Sequence, residues 1–469
     1  MFSFNSEVDS FISDLLGDYN TKYNSLKNLL NQKKILLCNN KIIDKSIVCE
    51  YNKVDFIFIG DFMNYIKRLA ENKFIKLNTM FQVVLVCGPR QAGKTTMLKH
   101  LAENSNRTYV SLDDFDNREL ALKDPKMFFQ KFKTPILIDE IQFAPNLFSY
   151  IKIMADNNQK NGEFWLTGSQ SYKIMKNVSE SLAGRIGIMN MYPMIYQEII
   201  GNIKEIPNNF SFETLNSLTN KPILEINDTF SYIFKGGMPK TIEYDDEDRF
   251  EYFNSYIDTY LMKDIMELGN ITDTVRFRKF LTVCASQNAN VVNYANLALA
   301  SDISQPTAKE WLSILQGIGI VYLVYPYFNN SLKRLTKTPK LYFFDTGLCA
   351  YLSKIPSKDM LQSSSFAGAY FENFIMNLFT IKYNFNALKP NLYFYRDIDQ
   401  NEVDILLETN EGLVPIEIKL SANPNKRDIE KFKILEKLGK QILNGGIICL
   451  IDSLYPVGNK NCLIPAGLI

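Results

Sequence analysis

The chain has 469 residues, which is long enough for two to four domains with buried cores. Its 52 basic and 51 acidic residues nearly cancel, so the overall charge gives no attraction to nucleic acid or to an anionic membrane surface. Seven dispersed cysteines without a CxxC pair argue against a disulfide framework or a zinc site, and a single histidine, His100, argues against histidine-based catalysis.

Residues 1–60 form an N-terminal extension without recognisable chemistry. A helical pattern that includes Phe11 and Leu15 precedes a Lys/Asn-rich stretch and an apolar stretch at residues 54–60. The pattern favours an appended helix and hairpin, and the alternative is a small docking element. No apolar run is long enough to cross a membrane, and the N-terminus lacks a basic region followed by an apolar one. We therefore expect a soluble, cytoplasmic protein without a membrane partner.

Residues 83–96 have the pattern of a phosphate-binding loop between a buried strand and a helix. In such a loop, backbone N–H groups and the helix N-terminus bind phosphates, the lysine reaches the β- and γ-phosphate oxygens, and the following threonine binds Mg²⁺. The alternative is a glycine-rich turn with a chance lysine, but the order of strand, loop and helix favours a nucleotide site. The predicted nucleotide-binding residues are Gly88, Pro89, Arg90, Gln91, Ala92, Gly93, Lys94, Thr95 and Thr96.

Strand and helix patterns alternate between residues 61 and 200, which predicts a parallel sheet with helices on both faces. Strands are predicted at residues 108–113, 135–140 and 162–169. The second of these ends in Asp139 and Glu140. Because ligands bind at the carboxyl ends of such strands, we predict that Asp139 holds Mg²⁺ through water and that Glu140 polarises the attacking water. The alternative is that the acid pair caps a helix.

Two further polar residues are candidates for contact with the γ-phosphate. Ser169 is the last residue of the strand predicted at residues 162–169, where a hydroxyl group can sense a bound phosphate. Arg185 ends the segment 181–185 and is a candidate arginine finger in its own site or in that of a neighbouring subunit. The alternative for Arg185 is an ordinary surface arginine, and the sequence leaves these possibilities open.

The middle of the chain is predicted to contain a helical lid and a winged-helix-like segment. Residues 201–285 have helical patterns that are broken at residues 236–239, and the stretch 256–265 has the pattern of an amphipathic helix. Residues 286–350 have the order helix, turn, helix and strands, with Ser304 as a predicted N-cap.

The second helix of this winged-helix-like segment would be the one to enter a DNA groove. It carries Lys309 beside Glu310 and no arginine, which favours packing between domains over DNA contact. The basic residues that would form a wing come later in the segment: Lys333, Arg334, Lys337 and Lys340.

Residues 351–469 contain a second group of candidate catalytic side chains. A β-hairpin carries Asp404 on one strand and Glu417 and Lys419 on the next, and period-two alternation puts the last two on one face. Glu372 on the preceding helix completes a predicted metal set of Glu372, Asp404 and Glu417, with Lys419 stabilising a phosphate. The alternatives are a solvated hairpin with ordinary charges, or a nuclease-like fold that serves only as a scaffold.

With these motifs identified, the chain resembles a family of prokaryotic AAA-type ATPases whose C-terminal domain is related to the PD-(D/E)xK restriction-endonuclease fold. The resemblance covers about residues 61–455, so the N-terminal extension precedes its usual start. It rests on residues 88–96, 137–142, 166–170, 181–185, 236–239 and 339–348, and on Glu372, Asp404, Glu417 and Lys419. The resemblance implies an α/β P-loop NTPase domain, ATP binding and Mg²⁺-dependent ATP hydrolysis.

Two functions from different classes follow from this pattern. The first is an ATPase, acting alone or as a homo-oligomer, that drives a nuclease-like module on DNA or RNA. The second is a nucleotide-dependent switch or scaffold in which the winged-helix-like and nuclease-like segments only bind partners. A small-molecule kinase fits less well, because the Asp139–Glu140 pair suits activation of water better than of a substrate hydroxyl group.

Overall fold

The computed structural model describes two short strands and most of the chain from residue 65 onwards. Within residues 65–469 the exceptions are residues 104, 170–180, 204, 208, 219–223, 263–264, 267–270, 272, 387–390, 422, 425 and 459. The chain divides into two compact units, Met1–Tyr65 and Ile66–Ile469. In the first unit, β1 (Leu37–Cys38) pairs antiparallel with β2 (Lys41–Ile42), and the rest of the predicted N-terminal extension lies outside the described residues.

The predicted parallel sheet is present in the first part of the second unit. Five strands run in the order β4–β5–β6–β3–β7, and every neighbouring pair is parallel. The strands are β3 (Val83–Cys87), β4 (Thr108–Ser111), β5 (Ile136–Asp139), β6 (Phe164–Gly168) and β7 (Ile186–Asn190). The sheet order places β6 between the strand that leads into the glycine-rich loop and the strand that ends in Asp139.

Helices cover this sheet because its strands are apolar on both faces. Every residue of β3, β5 and β6 is buried, as expected of a parallel sheet between two helical layers. The helices are α1 (Ala70–Met80), α2 (Lys94–Ala102), α3 (Phe115–Lys123), α4 (Pro125–Lys131), α5 (Leu147–Asn158) and α6 (Tyr196–Ile199). The strand β7 was not predicted from the sequence, although Ile186 and Ile188 alternate along it.

The described residues of the predicted helical lid are mainly helical. Its helices are α7 (Phe212–Ser217), α8 (Ile226–Lys235), α9 (Asp246–Ser255) and α10 (Thr274–Ser286). Helix α8 ends at the predicted break, where Gly236 has φ +84° and a 3₁₀ turn covers Pro239–Ile242. The stretch predicted as an ordinary amphipathic helix is instead a π-helix at Tyr256–Leu261, which continues directly from α9.

The segment predicted to be winged-helix-like has the expected order of helices and strands. It contains a three-stranded antiparallel sheet in the order β8–β10–β9. Its elements are β8 (Asn290–Val291), α11 (Tyr294–Ala300), α12 (Gln305–Gly317), β9 (Val321–Val324), α13 (Ser331–Thr336) and β10 (Lys340–Phe343), followed by α14 (Thr346–Leu352) and α15 (Lys358–Ser363). The side chain of Ser304 accepts a hydrogen bond from the backbone N–H of Thr307, so the N-cap prediction is confirmed.

The C-terminal segment is a second α/β arrangement. The helix α16 (Ala367–Phe385) packs against a six-stranded mixed sheet in the order β11–β12–β13–β14–β16–β15, and a short helix, α17 (Lys426–Glu430), precedes a 3₁₀ helix at Lys431–Leu438. The strands are β11 (Asn391–Arg396), β12 (Glu402–Glu408), β13 (Leu413–Lys419), β14 (Gly445–Cys449), β15 (Tyr455–Val457) and β16 (Asn461–Pro465). The predicted antiparallel hairpin is formed by β12 and β13. No helix among the described residues is long and apolar enough to cross a membrane.

Candidate functional site

The glycine-rich loop joins β3 to α2 as the sequence predicted. Gly88 has φ +138°, and a Cβ atom there would collide with the carbonyl oxygen of Met191, so this position requires glycine. Gly93, at the N-cap of α2, has φ +89°. The two glycines therefore allow a tight turn that directs successive backbone N–H groups and the N-terminus of α2 towards one point.

Lys94 lies across this loop. It is 5% exposed, and its Nζ donates hydrogen bonds to the carbonyl oxygens of Gly88 at 2.9 Å and Pro89 at 2.8 Å. Burial lowers the pKa of the Lys94 ammonium group, and the nearby Glu140 carboxylate opposes this shift. The ammonium group thus already lies at the loop, where rotation of one side chain would exchange two carbonyl oxygens for phosphate oxygens.

Asp139 and Thr95 meet at the carboxyl ends of the strands. The Thr95 hydroxyl donates a hydrogen bond to Asp139 Oδ1 at 2.7 Å, and Thr167 donates to the same oxygen. Tyr109 donates to the other carboxylate oxygen of Asp139 at 3.2 Å. A hydroxyl group and a carboxylate held side by side are the oxygen ligands that Mg²⁺ prefers, so these residues fit the predicted metal.

Glu140 is positioned by an unusual backbone conformation. It has φ +57°, and its backbone N–H donates to Thr167 Oγ1 at 3.0 Å. Its carboxylate accepts a hydrogen bond from Gln142 and lies 3.5 Å from the Ser169 hydroxyl. The side chain makes no hydrogen bond that caps the 3₁₀ turn that follows, which argues against the helix-cap alternative.

Ser169 lies between the glycine-rich loop and the acidic pair because β6 lies between β3 and β5. It is 2% exposed, and Gln142 Nε2 donates to its hydroxyl oxygen at 3.3 Å. Ser169 also lines a small cavity together with Pro89 and Arg90 of the loop. The structure therefore brings together Lys94, Thr95, Asp139, Glu140 and Ser169.

Arg185 lies away from this group. It immediately precedes β7, whose first residue pairs with Val83 at the start of β3, so it is at the amino edge of the sheet. Five strand residues, about 16 Å at about 3.3 Å each, separate this edge from the loop. The Arg185 guanidinium group forms an ion pair with Asp156. This arrangement gives no contact between Arg185 and the phosphate site of its own chain.

Arg68 was missed by the sequence analysis and contacts the glycine-rich loop directly. Its side chain is 4% exposed, and it donates hydrogen bonds to Ala92 O and Tyr192 O, both at 2.8 Å, and to Glu198 Oε1 at 3.0 Å. Arg68 comes just before α1, in a stretch without a motif. The only signal that the sequence offers is a lone arginine beside apolar residues.

Two motifs identified in the sequence, residues 236–239 and residues 339–348, contact each other. The carboxylate of Asp345 accepts hydrogen bonds from the backbone N–H groups of Gly237 at 2.8 Å and Leu348 at 2.6 Å. Burial raises the pKa of the Asp345 carboxyl group, and these backbone hydrogen bonds oppose the shift. A Cβ atom on Gly236 would collide with Asp345, and one on Gly347 would collide with Lys235 O. These glycines therefore allow the lid and the following segment to pack closely.

Lys340 occupies the centre of the C-terminal carboxylates. Its side chain is 4% exposed, and its Nζ lies 2.9 Å from Glu372 Oε1, 2.5 Å from Glu402 Oε1 and 3.9 Å from Asp404 Oδ1. Burial raises the pKa of the Glu372 carboxyl group to about 7, and the Lys340 charge opposes the shift. An ammonium group therefore lies where the predicted metal set would place a divalent cation.

Glu417 and Lys419 lie on one face, as period-two alternation predicts. Lys419 Nζ is 2.6 Å from Glu417 Oε1, and Lys431 Nζ is 3.4 Å from the same oxygen. The other oxygen, Glu417 Oε2, is buried and has no hydrogen-bond partner among the residues that the structure describes. Burial raises the pKa of the Glu417 carboxyl group to about 7, and the charge of Asp404 contributes to this shift.

The predicted metal set of Glu372, Asp404 and Glu417 requires a correction. Among the described residues, no group of three or more His, Cys, Asp or Glu side chains is arranged to hold a metal ion. The physical reason is that Lys340 separates the set. It binds Glu372, while one Asp404 oxygen is taken by the backbone N–H of Ile418 at 2.8 Å.

The predicted basic wing also requires a correction. Two of its four basic residues are turned inward: Lys340 as described, and Arg334, which makes two hydrogen bonds to Glu408 at 2.7 and 3.1 Å. The Arg334 guanidinium group also lies near the rings of Tyr327 and Tyr393, at 4.2 and 4.7 Å from their centroids. Lys333 and Lys337 remain exposed. The contacts support the interpretation that this segment packs between domains.

Three segments of the chain match protein families, and one of these families has a descriptive name. Residues 80–200 match the family described as "AAA domain". Residues 226–359 and 367–469 match two families described as "Domain of unknown function", DUF8612 and DUF4143 respectively.

The chain is also similar to whole proteins. Uncharacterized protein Rv2008c of Mycobacterium tuberculosis is 28% identical over 390 residues, which cover 82% of this chain and 80% of that protein. Uncharacterized protein MJ1544 of Methanocaldococcus jannaschii is 23% identical, over 91% of this chain and 94% of that protein.

Among solved structures, the Walker-type ATPase PABY2304 of Pyrococcus abyssi is similar with a TM-score of 0.40 and 15% identity, over 61% of this chain and 96% of that one. The Thermotoga maritima RuvB Holliday junction branch migration motor has a TM-score of 0.28 and 17% identity, over 57% and 94%. Both TM-scores are low, so the assignment rests on the family match and on the loop itself. Residues 80–200 are similar to AAA domains and contain the glycine-rich loop between β3 and α2.

Proposed function

We propose that the P-loop domain binds ATP and hydrolyses it with Mg²⁺. The observation that carries this proposal is the contact of the Thr95 hydroxyl with Asp139 Oδ1 at 2.7 Å, directly beside a loop that already holds the Lys94 ammonium group. Thr95 and Asp139 would hold Mg²⁺, which supplies positive charge to the β- and γ-phosphates. Lys94 would move from the Gly88 and Pro89 carbonyls to those same phosphates.

The acidic and hydroxyl side chains at the strand ends supply the rest of the reaction. Glu140 would orient a water molecule and accept its proton as the water oxygen bonds to the γ-phosphorus. The bond from the γ-phosphorus to the bridging oxygen breaks, and the electron pair leaves with ADP. Ser169 would donate a hydrogen bond to the γ-phosphate, because its hydroxyl lies beside Glu140 and faces the same cavity as the loop.

Phosphate release from ATP by the full chain tests this proposal. We expect release in the presence of Mg²⁺ and loss of release when EDTA removes the metal, because Thr95 and Asp139 then have no cation to position. Radiolabelled γ-phosphate distinguishes hydrolysis from transfer to another molecule. Release that is unchanged by EDTA, or no release by folded protein, would contradict the proposal.

A second candidate function, cleavage of a nucleic-acid phosphodiester bond, is favoured by Glu417. One oxygen of its buried carboxylate has no partner, the charge of Asp404 acts on it, and Lys419 lies 2.6 Å from the other oxygen. An unpartnered buried carboxylate oxygen is costly unless a cation or proton joins it. Because Lys340 binds Glu372, only the pair of Asp404 and Glu417 would supply protein ligands to a divalent metal, and Lys419 would stabilise charge on the scissile phosphate.

Metal-induced stabilisation tests this second candidate. In a Lys94→Ala background, Mn²⁺ is expected to raise the melting temperature of the protein, and Asp404→Asn is expected to remove this shift. The control is Glu411→Gln, which removes an exposed carboxylate in the turn between the same two strands. Mn²⁺-dependent nicking of plasmid DNA should follow the same pattern. If Asp404→Asn and its parent respond identically, the module is a scaffold and the protein is an ATP-dependent switch.

The antiparallel strands β9 and β10 support coupling between the proposed nucleotide site and the C-terminal carboxylates. Ile318 and Ile320, which come just before β9, line the same cavity as Pro89 and Ser169. Lys340, at the other end of the pair, sits among the C-terminal carboxylates. We therefore propose that ATP binding, by pushing residues 318–320 away from the loop, changes the position of Lys340.

Arg185 provides a further prediction about association between copies of the chain. Because it lies about 16 Å along β7 from the loop, we expect Arg185→Ala to leave ATP turnover unchanged in dilute, monomeric protein. If copies associate, turnover should rise with protein concentration, and Arg185→Ala should remove that rise. Sedimentation measured alongside turnover identifies the monomeric range. A loss of turnover in the monomer would instead place Arg185 in its own site.

A further inference from the structure

All three side-chain nitrogens of Arg68 make hydrogen bonds behind the glycine-rich loop. Each of its three side-chain nitrogens donates to a different acceptor: Nη1 to Ala92 O at 2.8 Å, Nη2 to Tyr192 O at 2.8 Å, and Nε to Glu198 Oε1 at 3.0 Å. The planar guanidinium group is the only side chain that offers donors in this fixed fork. All three nitrogens are directed to acceptors behind the loop, so we assign Arg68 to supporting the loop and not to binding phosphate.

The contact with Ala92 sets the orientation of one peptide group in the loop. In a planar trans peptide, the carbonyl oxygen and the following N–H point in opposite directions. When Arg68 holds the Ala92 carbonyl, the Gly93 N–H must point away from Arg68, to the phosphate side of the loop. A Cβ atom on Gly93 would lie 3.1 Å from Arg68 Nη1, so the guanidinium group is packed tightly against this peptide.

Glu198 compensates the buried positive charge of Arg68. Its carboxylate is 2% exposed and also accepts hydrogen bonds from the backbone N–H groups of Leu69 at 2.7 Å and Ile195 at 2.8 Å. An ion pair buried in this way keeps its geometry, because all three guanidinium nitrogens and both carboxylate oxygens make hydrogen bonds. The start of α1, the loop and the start of α6 are thereby held together by two side chains.

We propose that Arg68 is a positioning residue for the phosphate-binding loop, and that it sets the affinity for the diphosphate group common to ADP and ATP. The inference rests on the proposed function only for the identity of the ligand. A fixed Gly93 N–H contributes to binding without an entropic cost at the moment of contact. The effect belongs to the diphosphate, because the residues proposed to face the γ-phosphate are Ser169 and Glu140 instead, whose side chains lie 3.5 Å apart.

Nucleotide affinity of Arg68 variants tests the proposal in the full chain. We expect Arg68→Met to raise the dissociation constants of ADP and ATP at least ten-fold and by the same factor, with no change for AMP. Arg68→Lys should recover part of the affinity, because one ammonium group can still donate to Ala92 O. Calorimetry at a temperature at which circular dichroism shows the variant fully folded separates affinity from stability.

Arg249→Met is the matched control. Arg249 is also buried, at 2% exposed, and also bonds a backbone carbonyl, Gly347 O at 3.3 Å, but it packs against Phe234 in the lid. Its substitution should lower the melting temperature and leave both dissociation constants within two-fold of the parent. If Arg68→Met does not fold, Arg68→Met/Glu198→Gln removes both charges and leaves no uncompensated buried ion.

Three results would overturn the assignment: ADP affinity within two-fold of the parent in Arg68→Met, weakening of ATP without weakening of ADP, or equal weakening in Arg249→Met. Each of these results is a measured dissociation constant and does not depend on ATP hydrolysis. A parent protein that binds ADP and ATP but releases no phosphate would contradict the proposed hydrolysis and leave the role of Arg68 measurable.

Discussion

Lys94→Ala is expected to lower ATP affinity by about 100-fold or more and to remove measurable turnover. The lysine supplies a point charge to the β- and γ-phosphates, and a donor aimed at such developing charge is worth about two to three orders of magnitude in rate. The fold should survive, because the side chain contacts only two carbonyl oxygens of the loop. Burial lowers the pKa of the Lys94 ammonium, so its charge is a cost to the folded state.

Calorimetry with ATP, together with phosphate release, measures this effect. The control is Lys99→Ala, which removes an exposed lysine from the same helix, where its ammonium lies over the Tyr109 ring. Lys99→Ala should keep both ATP affinity and turnover. If Lys94→Ala binds and hydrolyses ATP as the parent does, the loop is a structural turn and the nucleotide assignment fails.

Glu140→Gln is expected to keep ATP affinity within about three-fold and to slow hydrolysis by about 100-fold or more. The amide has nearly the shape of the carboxylate but cannot accept the proton of the attacking water, and general-base catalysis contributes about two to four orders of magnitude. Asp139 and Thr95 are unchanged, so the proposed Mg²⁺ ligands remain. The positive φ of Glu140 is tolerated equally by Glu and Gln at this position.

Single-turnover phosphate release under saturating ATP separates this chemical step from binding. Asp113→Asn is the informative companion variant, since Asp113 is the acid that follows β4 and lies 4.0 Å from Arg118 on the surface. We expect Asp113→Asn to turn over ATP as the parent does. If Glu140→Gln is active and Asp113→Asn is not, the water-activating carboxylate is Asp113.

The geometry of the proposed nucleotide site was largely predictable because its parts are local in sequence. The strand, the turn and the helix of residues 83–102 are consecutive, and their order is visible in apolar runs and glycines. Asp139, Glu140 and Ser169 were identified by one further rule, that the carboxyl ends of parallel strands meet at one edge. Glu417 and Lys419 share a face because strand periodicity alone requires it.

The C-terminal carboxylates show where local patterns stop being informative. Glu372 and Asp404 were predicted to lie close together, but Glu402 was not predicted, and the cation among these three acids is Lys340, which was assigned to a basic wing. A lysine on an apolar strand has the same sequence pattern whether it points to solvent or to three carboxylates. Only the packing of β10 against α16 and β12 distinguishes the two.

The sequence by itself thus determined the phosphate-binding loop, the strand-end acids and the hairpin of Asp404 and Glu417, because these depend on contacts between neighbours and on the periodicity of single elements. The tertiary structure decided three things that depend on residues far apart in the chain. Arg68 forms an ion pair with Glu198, which is 130 residues away in the chain. Lys340 lies among the C-terminal carboxylates, and Arg185 lies at the edge of the sheet opposite the glycine-rich loop. Such contacts follow from strand order and from the docking of separate elements, and no local pattern in the sequence encodes either.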